Sequence, residues 1–424
     1  MSDYFSIFFV VCVILAIPRW PGVALAVQLF GGPFFSTFLK ILGQEGGSGK
    51  FALLLLPYAT IFIAWRYLRS LKVTLAEVIF GMLVLWLAYT YTDTPSPTYG
   101  REKLNGIAFG LAPLLIFARI SVSNPVLLKQ TIQACGWAAA ASVALFMMIL
   151  LLENHSDSRE DGRYDGGFGP LLVAYNSATA IAILLVAQGF VAEPNSKTRR
   201  LAELGSWVFI FVGMYLILAA GSRGAFVAVV ALFAYWYRSS IFKIRTTVSI
   251  VGGVLIIAFC LNYAGGSEGF ERITNKLDTS VMSNDGRWQA MEAGLKQFSA
   301  YPLSGQGIGS FSKFIGAGDR RAYPHNGFIE LAGEGGILAL APMCVLIGMA
   351  FYGALKLHRK KLENHKGLLV ALLIVGLANF CLSYDLPYQK TIVAAIGIAF
   401  GLNQSKAHYA TKKYFIQTNG VRSS

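Results

Sequence analysis

Apolar runs of roughly transmembrane length recur along the whole chain, separated by short polar loops. They fall at roughly 4–17, 22–40, 51–67, 74–92, 104–119, 129–152, 171–191, 205–221, 224–238, 246–263, 331–355, 367–384 and 388–403. The first segment is short and is interrupted by "PRWPG" (18–22), so the first two read as one span plus an interfacial piece. The pattern predicts an all-α polytopic membrane protein with about twelve transmembrane helices. From residue 51 onward the spans alternate consistently. Loops rich in Lys and Arg (66–72, 197–200, 238–245, 356–366 and the tail after 406) share one face, and the acidic loop 153–167 falls on the other. The positive-inside rule makes the basic face cytoplasmic.

One loop dominates, running from Ala264 to His325 on the outer face. The organisation expected is transmembrane helices with short loops over 1–263 and a periplasmic loop over 264–325. C-terminal transmembrane helices then follow over 326–403, and a cytoplasmic tail over 404–424. A long loop with its own pattern is usually functional. "SNDGRWQAMEAGLKQF" reads as a helix with Ser283 or Asp285 as cap and Trp288, Met291, Leu295 and Phe298 on one face. It is expected to lie on the membrane or cap the bundle. The following "YPLSGQGIGSF" has glycines at alternate positions; such a run alone says little about phosphate binding.

Composition agrees with the spans. Hydrophobic residues make up 55% of the 424 and charged residues 14%, with a mean hydropathy of +0.55. The net charge of +14 sits in the short basic loops, which accounts for it as topogenic charge and contact with anionic lipid, not nucleic acid. Cys12, Cys135, Cys260, Cys344 and Cys381 all lie in apolar segments without metal-ligand spacing, so neither a metal site nor a disulfide is expected.

Polar groups on the outer face gather at four places: "GRYDGGFGPLLVAYN" with Arg163 and Asn176, "AAGSRGAF" with Arg223, "NDGRW" with Arg287, and "AYPHNGFIELAGEGG" around His325. Arg223 stands in a tight outer hairpin, where positive-inside statistics disfavour arginine. It reads either as a side chain snorkelling to headgroups or as a fork for phosphate oxygens. Arg287 is a second such fork or a solvated loop charge. His325 is a candidate base for a hydroxyl, with pKa near the pH outside the cell, or a structural cap. Asn326, Glu330 and Glu334 follow it. The glutamates either orient the ring and bind sugar hydroxyls, or complement the helix dipole. Arginines for a phosphate and one base for an alcohol fit transfer from a lipid diphosphate to a hydroxyl.

"AAGSRGAF", "GRWQAMEAGLKQFSAYPLSGQGIGSF" and "PHNGFIELAGEGGILA" together resemble the O-antigen ligase and polymerase superfamily of bacterial envelopes, with "DGRYDGGFGPLLVAYNSATA" a looser match. The resemblance implies a GT-C-like, metal-independent, inverting glycosyltransferase of the bacterial inner membrane, needing no cofactor and working on the periplasmic face. The donor would be a glycan on undecaprenyl diphosphate. The acceptor would be a sugar hydroxyl of lipid A-core in a ligase, or another lipid-linked repeat unit in a polymerase. The family's essential arginines map onto Arg223 and Arg287, and its histidine onto His325. Asn176, Arg163 and Asp385 match loosely and join Asn326 and Glu330 as substrate-binding candidates. The moderate chain length and single outer loop favour ligase over polymerase. A lipid-linked oligosaccharide transporter is disfavoured because the charges lie at span ends and not along a midplane path.

Overall fold

The computed structural model describes residues 22–32, 34, 73–123, 125–152, 169–188, 197–237, 286–359, 363–383 and 385–402. Regular structure among them is entirely helical: α1 (Gly22–Phe30), α2 (Leu75–Thr90), α3 (Pro97–Asn105), α4 (Ala112–Ser121), α5 (Pro125–Leu152), α6 (Pro170–Ala187) and α7 (Lys197–Ala219). Then follow α8 (Arg223–Trp236), α9 (Gly286–Ala300), α10 (Phe311–Phe314), α11 (Gly327–Arg359), α12 (Glu363–Leu382) and α13 (Lys390–Leu402). Five stretches are long and apolar enough to cross a membrane: Pro97–Ser121, Val126–Leu151, Pro170–Ala187, Leu201–Ala219 and Gly327–Leu357. The chain is an all-α polytopic membrane protein. The expected spans at 4–17, 51–67 and 246–263, the acidic loop with Arg163, the caps Ser283 and Asp285, and the basic tail lie outside the described residues.

Small side chains put α6 at the centre. Every residue from Val173 to Ala187 is buried, and the sequence there mixes Ala, Ser and Thr with larger aliphatics. Without lipid-excluding water to drive them together, membrane helices gain from such close approach. α5, α7, α8 and α12 all pack on α6.

Two structural ends follow from the contacts. At one, Glu77 Oε2 accepts the Thr74 amide at 2.6 Å to start α2, while Glu77 Oε1 holds Arg119 Nε at 2.6 Å, joining α2 to α4. Gly367 packs on Trp236 at this same end. The opposite end carries Thr94, Lys103, the start of α8 and α11, and Asp385.

The span expected from 104 instead begins at Pro97, so Lys103 belongs to the membrane helix. The join between α3 and α4 is a π turn over Gly106–Leu111. Pro113 in the first turn of α4 explains it: proline has no N–H to give the preceding turn and its ring crowds the carbonyl four residues back. Gly106 lets the 386–388 turn sit directly on this join, since a Cβ there would meet Pro387 at 2.7 Å.

The loop after α9 is a wedge, not an anion cradle. Gly305, Gly307 and Gly309 all take positive φ (71°, 104° and 79°). A Cβ on Gly305 would overlap the Glu334 backbone, and one on Gly309 would meet Gly100 N at 2.7 Å. Three successive amides here donate to the protein: Gly305 N to Tyr301 O at 3.1 Å, Gln306 N to Gly333 O at 3.0 Å and Gly307 N to Glu334 O at 2.9 Å. This pairing sits beside the break in α11 at Gly336 (φ 66°), where Ile337 N donates to Pro302 O at 2.9 Å. Asp319, further along the same loop, accepts the Thr98 and Tyr99 amides at 2.9 and 3.0 Å. It caps α3 from more than two hundred residues away.

α9 packs differently from its apolar periodicity. Gly294 and Gln297 are its buried residues, set against α11, whereas Trp288 is 61% exposed. The glycine decides this, because a Cβ at 294 would meet Ile329 at 2.5 Å.

Two outcomes are expected. Gly305→Ala combines a left-handed backbone with the Glu334 overlap and should destabilise the folded protein by about 2 kcal/mol or more, read as a lower melting temperature in detergent. The backbone N–H donors of Tyr99, offset in part by burial and aided by Thr98, hold the Asp319 carboxyl below its ordinary value. That contribution is complete above the unfolded carboxylate pKa and is lost as pH falls through the lower folded one. The melting-temperature advantage of wild type over Asp319→Asn should therefore shrink on acidification and be unchanged between neutral and mildly alkaline pH.

Candidate active site

The chain turns sharply into α11 at "PHNG". His325 has φ 57°, the only positive value outside glycine among the described residues. Asn326 Oδ1 then accepts the Phe328 and Ile329 amides at 3.0 and 3.1 Å, a side-chain cap that starts the helix. Gly327 brings this turn onto α12, where a Cβ would meet the Phe380 ring at 2.7 Å. His325 Nδ1 lies 3.3 Å from the Ser383 carbonyl. A carbonyl only accepts, so Nδ1 carries the proton and the basic lone pair of the neutral ring is on Nε2. The Tyr323 ring packs 4.6 Å from the imidazole.

Arg223 opens α8 immediately after Ser222. Gly224, next in line, lets this turn close on α6 and α12: a Cβ would overlap the Tyr175 hydroxyl and meet Leu382 at 3.2 Å. Leu382 adjoins Ser383, whose carbonyl faces His325. Arg287, in the first turn of α9, lies within electrostatic reach of the hydroxyls of Tyr175 and Tyr323. The structure thus brings Arg223, Arg287 and His325 to one end of the bundle, around Tyr175, from residues spread over a hundred positions. All are half-buried. Asn176 follows Tyr175 on α6, buried, its Oδ1 without a hydrogen-bond partner among the described residues. Burial, helped by Asp385 and opposed by Arg321, pushes the Tyr323 phenol up to about 12, so it stays a neutral donor.

The acidic candidates have partners inside the protein. Glu330 is 1% exposed; its Oε1 takes Lys103 Nζ at 2.5 Å and the Leu386 amide at 3.2 Å. Glu334 holds the same ammonium at 2.6 and 2.7 Å. Neither glutamate is positioned as an orienter of the His325 ring. Asp385, also 1% exposed, accepts Tyr99 Oη–H at 2.6 Å and a fork from Arg321, Nη2 at 2.8 Å and Nε at 3.2 Å. Burial alone would lower Arg321, but Asp385 raises its pKa and fixes its charge. Lys103 also lies 5.2 Å from the Tyr99 ring centre, so α3, α11 and the 385–388 turn share one ionic cluster.

Lys103, Tyr99, Arg321 and Tyr388 were not singled out by the sequence pattern. A lysine directly abutting an apolar run, with Pro97 in the preceding polar loop able to start a helix early, is the signal that could have found Lys103.

Lys103→Met leaves two buried carboxylates without their cation and should cost about 3–5 kcal/mol of stability, seen as a large fall in melting temperature. Replacing Glu330 and Glu334 by Gln in the same protein should recover most of that loss.

Comparison with curated proteins finds no match. Residues 205–344 match the family described as O-antigen ligase, a stretch that holds Arg223, Arg287, His325, Glu330 and Glu334. The match supports the O-antigen ligase and polymerase superfamily and does not separate ligase from polymerase.

Proposed function

We propose that the protein is an O-antigen ligase, moving a glycan from undecaprenyl diphosphate to a sugar hydroxyl of lipid A-core at the periplasmic face of the inner membrane. The observation that carries this reading is the placement of His325 Nε2 as the basic nitrogen at the same end as Arg223 and Arg287. In the reaction, His325 takes the proton of the acceptor hydroxyl. The resulting oxygen attacks the anomeric carbon as the bond from that carbon to the diphosphate oxygen breaks, with inversion. Arg223 and Arg287 balance the charge that grows on the departing undecaprenyl diphosphate, a role suited to planar, permanently charged forks. The scheme uses no metal and gives a GT-C-like division between a membrane bundle and an outer loop. Asn176 and, from the earlier loop, Arg163 are the remaining candidates for holding the donor.

Two lipid-anchored substrates meeting at a fixed height explain the site's setting. α11 and the Asn326 cap hold His325 at the end of the bundle, where a glycan on a membrane anchor can reach it. Holding both reactants in line supplies several kcal/mol of the barrier.

The test is reconstitution of purified protein with lipid A-core, undecaprenyl-diphosphate glycan and excess chelator, product being read by gel mobility. Glycan should appear on lipid A-core. His325→Ala should lower kcat by about 10²–10⁴-fold with membrane insertion and melting temperature retained. Lengthening of the lipid-linked glycan with lipid A-core left bare would make the protein a polymerase. No transfer to either acceptor from a proven donor would remove the enzymatic reading.

A further inference from the structure

Beside His325 lies a partly open surface with no role in the steps above. The Arg321 side chain is 41% exposed and Tyr388 is 42% exposed. The guanidinium carbon of Arg321 lies 4.5 Å from the centre of the Tyr388 ring and 5.4 Å from that of Tyr323. Tyr323 in turn touches His325, ring to ring at 4.6 Å. The four side chains form one continuous run ending at the proposed base.

The chemistry of this run favours an uncharged sugar. Asp385 offsets the Arg321 charge through a two-point contact, so the pair presents directed N–H donors with little net charge. That combination suits hydroxyl groups more than a phosphate, which would have to compete with a carboxylate already in place. The tyrosine rings add apolar area for the C–H face of a pyranose, and their hydroxyls add polar edges. Arg321 is pinned from behind by Asp385, itself held by Tyr99, so the platform is ordered before any ligand arrives and loses little entropy on binding.

We propose that Arg321 and Tyr388 form the acceptor subsite, binding an uncharged pyranose ring of the acceptor next to His325, with Asp385 as a positioning residue that does not touch the sugar. This rests on the transferase reading for the identity of the acceptor, but binding at the subsite is measurable without turnover.

The experiment uses the full-length protein in nanodiscs, with lipid A-core and undecaprenyl-diphosphate glycan as separate probes. Arg321→Ala would strand the buried Asp385 charge and risk misfolding, so Tyr388 carries the test. Tyr388→Ala should weaken lipid A-core binding about tenfold, equivalent to the loss of one aromatic contact. Tyr388→Phe should stay close to wild type, and affinity for the undecaprenyl-diphosphate glycan should not change in either variant. Equal lipid A-core binding by Tyr388→Ala and wild type overturns the proposal, as does absence of binding to wild type. Turnover separates the two readings. Acceptor binding that depends on Tyr388, in a protein that transfers no glycan, keeps the subsite and removes the transferase. Normal transfer with an unchanged acceptor KM in Tyr388→Ala removes the subsite and keeps the transferase.

Discussion

The ammonium of Lys103, enclosed between Glu330 and Glu334, is the contact on which the end of the bundle that carries His325 depends. Removing one cation and two carboxylates from water is expensive, and only close geometry with further donors offsets it. Here the Leu386 amide adds such a donor on Glu330. Because its members come from α3, α11 and the turn before α13, the cluster fixes three elements relative to one another. α11 begins three residues before Glu330 and His325 stands five before it, so the imidazole's height is set by a charge cluster about one helical turn below it.

Charges at this end fall into two groups. Lys103, Glu330, Glu334 and Asp385 are nearly inaccessible and face one another. Arg223, Arg287, Arg321 and His325 retain exposed surface. The glycine wedge at 305–309 holds its loop down on α3 and α11 by close backbone contact, with the amides of Gly305, Gln306 and Gly307 donating to carbonyls of the protein.

Much of this was legible in the sequence. Hydropathy located α5, α6, α7, α11 and α12 because lipid imposes long apolar runs regardless of partner. Arg223, Arg287 and His325 stood out because each breaks a local expectation, a charge in a tight outer turn or a histidine at a helix start. The hidden parts depend on pairing at a distance. Lys103 meets Glu334 across 231 positions and Arg321 meets Asp385 across 64, and neither separation leaves a periodic trace. Helix α9 was legible as a helix, but its seat on α11 was not. In a protein bathed by lipid an apolar stripe need not face the core, and the true contact surface was marked by Gly294, a residue with no hydropathy to read.

The π turn at Gly106–Leu111 has a bearing on how the two ends of the bundle coexist. Such a turn holds one residue more than an α-helical one, which offsets the helix on either side by about 100° of rotation. Lys103 above it and Arg119 below it are therefore aimed independently, one at the carboxylates of α11 and the other at Glu77 of α2. A straight α-helix of the same sequence would present these two side chains at a relative angle different by about 100°. The bulge lets a single membrane-spanning stretch carry two ion pairs aimed in different directions, one keyed to α11 and the other to α2.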